Sequence, residues 1–422
     1  MRKLIFALLG TPLLLFLFAN SALAETVTVC PDDGVSENRC DYETIESALA
    51  AVSAGDIIQI DVMGEFSEDN ILIEKNVTIQ GYGPGKTTVK GSCSGRIFEN
   101  RASMATLRAM TIQNGCAQSG TNEDGGGILN GGELFLDRVV VRENRAVGRG
   151  GGIYNVGRLK VEASVVYDNK AEKSGGGLYN SGFVTHIINS TISNNQTNQR
   201  GGGIFNHGFI SVRYATIFDN YNGENGSSNL HNEHEAEFIT AASVIQSCQG
   251  KNLIVIAKSL AIAPGCALEV AQAPLLVSKD GGATSAAPAY VPDRDSAAFD
   301  AIDCREVNLW SDQAGTPRPQ GSACDLGAIE LPLSLMPFAS RPVERADLRI
   351  LSVTADPTTD ISAGDPISLS VVVENRGLKA AEKDFWVDFY INPNSPPPIQ
   401  AGTPWTALCP DEDCLGLAWR VK

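Results

Sequence analysis

Gly125-Gly126-Gly127-Ile128-Leu129-Asn130 is the first copy of a six-residue motif that recurs along the chain. Further copies occupy residues 150–155, 175–180 and 201–206, and a degenerate copy, SSNLHN, occupies residues 227–232. The final asparagines are 25, 25, 26 and 26 positions apart: Asn130, Asn155, Asn180, Asn206 and Asn232. Such a constant spacing predicts a repeat architecture in which each copy occupies the same place in one structural unit.

A second asparagine column has the same period and supports this interpretation. Its members are 25, 26 and 25 positions apart: Asn144, Asn169, Asn195 and Asn220. Short β-branched runs precede them at a constant offset, at residues 139–141, 165–166, 191–192 and 216–217. A period near 25 with short β-branched runs is typical of a solenoid of strands.

We therefore predict an all-β chain dominated by a parallel β-solenoid with about 25 residues per coil. Successive coils should stack about 4.8 Å apart, with about eight coils between residues 56 and 260. The Ile and Asn of each motif should point inward, and equivalent Asn side chains should bond amide to amide. A phosphate-binding glycine loop is disfavoured, because a strand rather than a helix follows each Gly triplet.

The first 55 residues contain two recognisable sequence patterns. Residues 1–24 are typical of a secretory signal peptide: Arg2 and Lys3 precede an apolar run, and Ala22-Leu23-Ala24 resembles a cleavage site. An uncleaved membrane anchor is the alternative, although the run is shorter than the roughly 20 residues that a spanning helix needs. Residues 25–55 include a helical pattern that would cap the open end of the solenoid.

Charge and cysteine content narrow the function classes. The chain has 422 residues and a formal net charge of −16, which argues against general nucleic-acid binding. No segment after the first 24 residues is long and apolar enough to span a membrane. Ten cysteines in an exported chain predict disulfides, paired here by proximity. The pairs are Cys30/Cys40, Cys93/Cys116, Cys248/Cys266, Cys304/Cys324 and Cys409/Cys414.

These motifs together resemble right-handed parallel β-helices of the pectin-lyase-like type. The Gly-triplet and asparagine pairs are similar to repeats of polymorphic outer-membrane proteins. Residues 244–330, a closing region within a 25–330 β-helix domain, resemble choice-of-anchor Q domain proteins. The matching stretches are CQG at 248–250, APLL at 273–276, DGGAT at 280–284, DQAG at 312–315 and RPQGSACDLGAIE at 318–330. This resemblance implies an exported protein with no agreed biochemical activity.

A second domain follows a proline-containing linker at residues 331–345. Residues 346–422 have a strand-and-turn rhythm typical of a β-sandwich. ADL at 346–348, AGD at 363–365 and VENRG at 373–377 resemble the Ig-like cell-adhesion-related domain found in bacteria (CARDB). Such a sandwich needs about 100 residues, so we expect this one to be incomplete and any C-terminal anchor to lie beyond Lys422.

Candidates for catalysis and metal binding are few. Glu143, Asp168 and Asp219 each precede a member of the second asparagine column and would stack on one face. Paired carboxylates serve glycosidases, and acidic oxygens suit calcium, but a solvated turn produces the same pattern. His231 and His234 have a spacing that could bind a metal on a helix, yet they lie in a degenerate coil. We predict no bound cofactor.

The best binding candidate is the position between Ile and Asn in each motif, which should point outward. It is occupied by Leu129, Tyr154, Tyr179, Phe205 and His231. Tyr154, Tyr179 and Phe205 would form an aromatic strip that could stack on sugar rings. The alternative is that the rings stack on one another and shield the backbone.

Three functions remain compatible with the sequence. The first is an exported, non-enzymatic protein of the cell surface or extracellular matrix that binds glycans or a cell-surface partner. The second, by fold analogy alone, is a polysaccharide lyase or glycoside hydrolase. The third is a passive structural spacer that binds nothing.

Overall fold

The protein is described here by a computed structural model. The described residues are 24–31, 40–118, 120, 123–223, 226–261, 268–270, 290, 292, 296–306 and 308–331, and the backbone of four later strands. By its contacts the chain divides into two compact units, residues 1–333 and 334–422. The first unit contains the repeat and every site considered below.

Three parallel sheets run along the first unit and together form a β-solenoid of about seven turns. The predicted all-β solenoid fold is therefore confirmed. Sheet A has 18 strands. They are Thr26–Val29, Ile57–Ile60, Gly64–Ser67, Thr78–Gln80, Thr87–Lys90, Ala105–Gln113, Glu133–Arg142, Arg158–Glu162, Val165–Tyr167, Val184–Ile188, Thr191–Ser193, Phe209–Arg213, Thr216–Phe218, Glu237–Ala241, Val244–Ile245, Leu253–Val255, Leu260–Ala261 and Glu269–Val270.

The two smaller sheets complete each coil. Sheet B contains the motif strands Ile71–Ile73, Phe98–Asn100, Ile128–Asn130, Ile153–Asn155, Leu178–Asn180, Ile204–Asn206, Leu230–Asn232 and Cys248–Gly250. Sheet C contains Cys116–Ala117, Arg145–Ala146, Lys170–Ala171, Gln196–Thr197, Tyr221–Asn222 and Gly226–Ser227. Its last pair is antiparallel, whereas the other strand pairs of the three sheets are parallel.

The asparagine side chains form two continuous hydrogen-bond ladders in the interior. In the first, each amide nitrogen donates to the amide oxygen of the next coil at 2.7–2.8 Å. Its members are Asn100, Asn130, Asn155, Asn180, Asn206 and Asn232. In the second, the same bond measures 2.8–3.0 Å and joins Asn144, Asn169, Asn195, Asn220 and Asn229. Each buried amide therefore has hydrogen-bond partners within the protein, as polar groups shielded from water require.

Asn100 and Asn229 extend the ladders beyond the asparagines that the motif identified. Asn100 ends a strand with no glycine triplet before it, Phe98–Asn100. Asn229 occupies the place of the third glycine in the degenerate copy, one coil after Asn220, and bonds to it at 2.8 Å. The first ladder therefore begins one coil before the first glycine motif, and the second ladder ends in the degenerate copy of the motif.

The N-terminal segment closes one end of the solenoid. The helix Ile45–Ala51 buries Ile45, Ala48 and Leu49, and Thr44 and Ser47 form a capping box at its start. Glu68 accepts hydrogen bonds from the backbone N–H groups of the first helical turn at 2.8 and 2.9 Å. The sequence pattern did not identify the strand Thr26–Val29, which pairs in parallel with Ile57–Ile60.

Three of the five predicted disulfides are formed: Cys30–Cys40, Cys93–Cys116 and Cys304–Cys324. Cys248 is also disulfide-bonded, and its predicted partner Cys266 lies outside the described residues. Cys409 and Cys414 lie outside them as well. Such bonds persist in oxidising compartments, which fits an exported protein. Among the described residues, no helix has the length and apolar character required to cross a bilayer.

The second unit is described as two antiparallel strand pairs. Leu348–Asp356 pairs with Ser368–Asn375, and Phe385–Ile391 pairs with Leu415–Val421. Antiparallel pairs occur in β-sandwiches, and the CARDB-like sandwich stays a prediction.

The ladder makes a testable prediction at Asn155, which is fully buried and bonds to Asn130 and Asn180. Replacing Asn155 with Ala removes one hydrogen bond from each neighbour and leaves a buried gap in the ladder, so we expect a loss of about 3 kcal/mol in the free energy of unfolding. Urea unfolding followed by circular dichroism measures this loss. Asn198→Ala, at an exposed asparagine of the same repeat, is the control, and an equal loss there would contradict the ladder's role.

A second prediction concerns the glycine that lies two positions after four asparagines of the first ladder, namely Asn130, Asn155, Asn180 and Asn206. A Cβ at Gly157 would overlap the carbonyl oxygen of Gly132 on the preceding coil, whereas a Cβ at Gly131 meets its nearest atom at 3.5 Å. Gly157→Ala should therefore lower the unfolding free energy by about 2 kcal/mol or more, because the coils must separate. Gly131→Ala should change it by less than about 0.5 kcal/mol. Equal losses of unfolding free energy in the two variants would contradict the idea that the close approach of neighbouring coils makes this glycine necessary.

Candidate functional site

The aromatic strip predicted from the sequence is a stack of side chains in register on sheet B. Leu129, Tyr154, Tyr179, Phe205 and His231 are direct partners on successive strands. Ring centroids are 5.3 Å apart from Tyr154 to Tyr179, 5.0 Å from Tyr179 to Phe205 and 5.2 Å from Phe205 to His231. The interplanar angles are 20°, 4° and 19°, so the rings lie face to face.

This stacking covers the ring faces that a sugar would need. Tyr179 is 8% exposed and Phe205 is 6% exposed, since each ring has an aromatic neighbour on both faces. The pKa of Tyr154 is raised by burial. A glycan can therefore meet this column only at its ring edges, and the stack stabilises the coil spacing.

Arg149 lies against the first two rings of the stack. Its guanidinium carbon is 5.0 Å from the centroid of Tyr154 and 4.9 Å from that of Tyr179, a cation–π arrangement. Arg149 also forms an ion pair with Asp124 at 2.8 Å. The hydrogen bonds that Arg149 donates to the Asp124 carboxylate hold the pKa of Arg149 above its ordinary value.

The last member of the stack is His231, one of the two histidines with a metal-ligand spacing. Burial lowers the pKa of His231, and the nearby charge of Arg200 lowers it further. Among the described residues no cluster of three or more His, Cys, Asp or Glu side chains could hold a metal ion. The ring serves as the end of the aromatic stack.

The three acidic candidates occupy a bend where the backbone is left-handed. Glu143, Asp168 and Asp219 have φ values of 55°, 54° and 52°, and Asn114 and Asn194 occupy the same bend on other coils. Asn and Asp tolerate this conformation better than other non-glycine residues do, which explains the composition of the column.

Neighbouring side chains hold two of these carboxylates. Gln113 donates to Glu143 at 2.7 Å, and Arg142 approaches the same carboxylate at 3.3 Å. Buried Tyr290 lies 3.4 Å from Asp219 and covers it. Glu143 is exposed whereas Asp219 is partly covered, so the acids occupy different environments.

A different column on sheet C carries the exposed polar groups of the repeat. Each member directly follows an asparagine of the second ladder: Arg145, Lys170, Gln196 and Tyr221. They are register partners on successive strands. All four are exposed, and none forms a side-chain hydrogen bond or ion pair with another described residue. The position directly after each asparagine of the second ladder is the sequence signal for this column, which the sequence motifs alone did not identify.

A buried charged cluster lies in the closing region, also unanticipated from the sequence. Arg318, Glu330, Asp325 and Asp312 are at most 3% exposed. Arg318 donates to Glu330 at 2.6 Å, and its guanidinium lies 4.2 Å from the ring centroid of Tyr214. We call residues 296–331 the strap, because they pack along the side of the solenoid from Ser164 to Ala242.

The stack predicts a difference between two aromatic residues of one coil. Tyr179→Ala removes a ring packed on both faces and should lower the unfolding free energy by about 3 kcal/mol. Phe183→Ala is the matched control, because Phe183 is 82% exposed and should contribute less than about 0.5 kcal/mol. Urea unfolding of the two variants checks this, and equal losses would exclude a structural role specific to the stack.

Similarity to known proteins was found only among solved structures. No family model matches the chain, and no curated protein matches it. Among solved structures, the chain is similar to a pectin methylesterase mutant in complex with a hexasaccharide, with a TM-score of 0.32 and 13% identity, over 59% of this chain and 93% of the esterase. It is also similar to the ORF18 protein of Geobacillus virus E2, with a TM-score of 0.29 and 15% identity, over 57% of this chain and 62% of that protein.

Proposed function

We propose that the chain is an exported, non-enzymatic surface or matrix protein whose solenoid binds a polysaccharide. The observation that carries the proposal is the exposed sheet C column of Arg145, Lys170, Gln196 and Tyr221. Its cationic, amide and phenolic groups repeat once per coil, on the order of 4.8 Å apart. A ligand whose hydroxyl groups repeat along a chain can meet several of these groups at once.

Tyr221 supplies the open aromatic surface that the buried stack does not. Its side chain is 45% exposed at the end of the column, whereas Tyr179 and Phe205 are largely covered. Arg145 and Lys170 are adjacent in register, so two like charges lie side by side with no acid paired to either among the described residues. Such an arrangement is unfavourable alone and favours a ligand that bridges the two cations.

A non-enzymatic role is supported by the surroundings of the acidic column. Glycosidases need two carboxylates facing one cleft, with the acid kept protonated by its environment. Glu143 is hydrogen-bonded to Gln113, and Asp219 is covered by Tyr290. The bend geometry accounts for these acids without a catalytic role.

A binding screen with the exported chain tests the proposal. The chain would be titrated against neutral and acidic polysaccharides, and we expect at least one to bind. Lys170→Ala combined with Tyr221→Ala should weaken binding about tenfold or more, because it removes a cation and the open ring. Lys160→Ala with Phe183→Ala, a cation and an exposed ring elsewhere on the solenoid, should change it less than about twofold.

Three outcomes would contradict the proposal. Release of oligosaccharides from a bound polymer would establish a lyase or hydrolase instead. Absence of binding to every polymer would favour the passive spacer. Equal weakening in both double variants would place the binding site away from sheet C.

A further inference from the structure

The strap is attached to the solenoid through hydrogen bonds and through a buried apolar cluster, in which Ile302 and Leu326 pack with Val244. Asn189 donates to the backbone oxygen of Ser311 at 2.6 Å, and Gln313 donates to the backbone oxygen of Ser164 at 2.9 Å. Further along, the Gly327 N–H donates to the Ala242 carbonyl at 2.9 Å. These contacts join residues more than 80 positions apart in sequence, and they are separate from the sheet and ladder hydrogen bonds that stack the coils.

The interior of the strap contains more negative than positive charge. Asp312, Asp325 and Glu330 are buried around one buried cation, Arg318. Arg318 bonds to the Glu330 carboxylate and to the backbone oxygen of Asp325, and forms no hydrogen bond with the Asp325 carboxylate. A buried carboxylate without a cation is costly when it is ionised.

Asp325 occupies the critical place in this arrangement. Its two oxygens accept the backbone N–H groups of Asp300 and Leu331, each at 2.8 Å. It therefore ties the start of the strap to its end, where the chain leaves toward residues 332–347. Within the described part of the chain, no cation pairs with this carboxylate.

The other charged groups around the cluster do not neutralise its excess negative charge. Glu330 and Asp300 both act on Asp325 as like charges. The acids Asp303 and Glu306 act on Tyr214, which faces the cluster. Arg305, the other cation of the strap, is exposed and lies 4.0 Å from Asp303. The strap is consequently an acidic interior with one internal cation.

We propose that the strap is a proton-controlled cover: it is docked while the Asp325–Glu330 region holds a proton, and it is released as that proton is lost. Release would expose the outer face of the strands Thr191–Ser193 and Thr216–Phe218. Thr191 and Thr216 are at most 2% exposed, and each hydrogen-bonds to the strap, Thr191 to Gln313 and Thr216 to Ala328. The proposal is independent of polysaccharide binding on sheet C.

The direction of the pH effect follows from the burial of the acids. Burial raises the pKa of Asp325 to about 7, and it also raises the pKa values of Glu330 and Asp312. A carboxyl whose pKa is raised on folding stabilises the folded form below its ordinary pKa, near 3.8 for Asp325. That stabilisation is lost as the pH rises toward about 7. Docking should therefore be strongest near pH 4 and weakest above pH 7.

Hydrogen exchange of the full chain, corrected for the intrinsic pH dependence of exchange, tests this proposal. Between pH 5 and pH 8, amides of residues 309–331 and 214–218 should lose protection by about tenfold or more. The internal reference is the strand Ile153–Asn155, which should keep its protection because the ladder does not titrate in this range. Equal protection at both pH values would overturn the proposal even if no variant folds.

A pair of variants assigns the effect to the buried acid. Asp325→Asn keeps the shape but cannot ionise, so protection of the strap should become nearly independent of pH. Asp303→Asn changes an exposed acid of the same segment and should retain the wild-type pH dependence. An unchanged pH dependence in Asp325→Asn would refute the assignment to Asp325.

Discussion

The hydrogen bond between identical asparagine amides on neighbouring coils is the interaction on which the rest of the structure depends. Each interior member donates to one neighbour and accepts from another, and backbone groups such as the Arg158 carbonyl supply further bonds. The ladder therefore holds equivalent positions of successive coils in line, and the motif asparagines are 25 or 26 residues apart. The aliphatic core, the aromatic stack and the bends then become columns of equivalent residues.

Column formation explains why chemically distinct residues share one role. The left-handed bend accepts Asn, Asp or Glu because the backbone sets the requirement and the side chain remains outside. The glycines beside the first ladder are needed because neighbouring backbones approach too closely for a Cβ. The exposed positions of sheet C have no such requirement, and their side chains are therefore available for a ligand.

The solenoid could be predicted from the sequence because its signal is periodic and local. Asn100 was missed since no glycine triplet precedes it, and Asn229 since it stands where a glycine was expected. The aromatic column was located, yet the burial of its rings depends on side-chain orientation between coils. The strap could not be predicted, because Gln313 meets Ser164 across 149 positions and the repeat carries no information about that contact.

The strap also limits how this protein can change in length. A repeat held by identical ladders can gain or lose a whole coil by duplication or deletion, since every column is restored after 25 or 26 residues. The strap, however, binds coils at Ser164, Asn189 and Ala242, so their mutual separation must stay constant. Duplication can therefore add coils before Ser164, whereas the number of coils beneath the strap must stay constant.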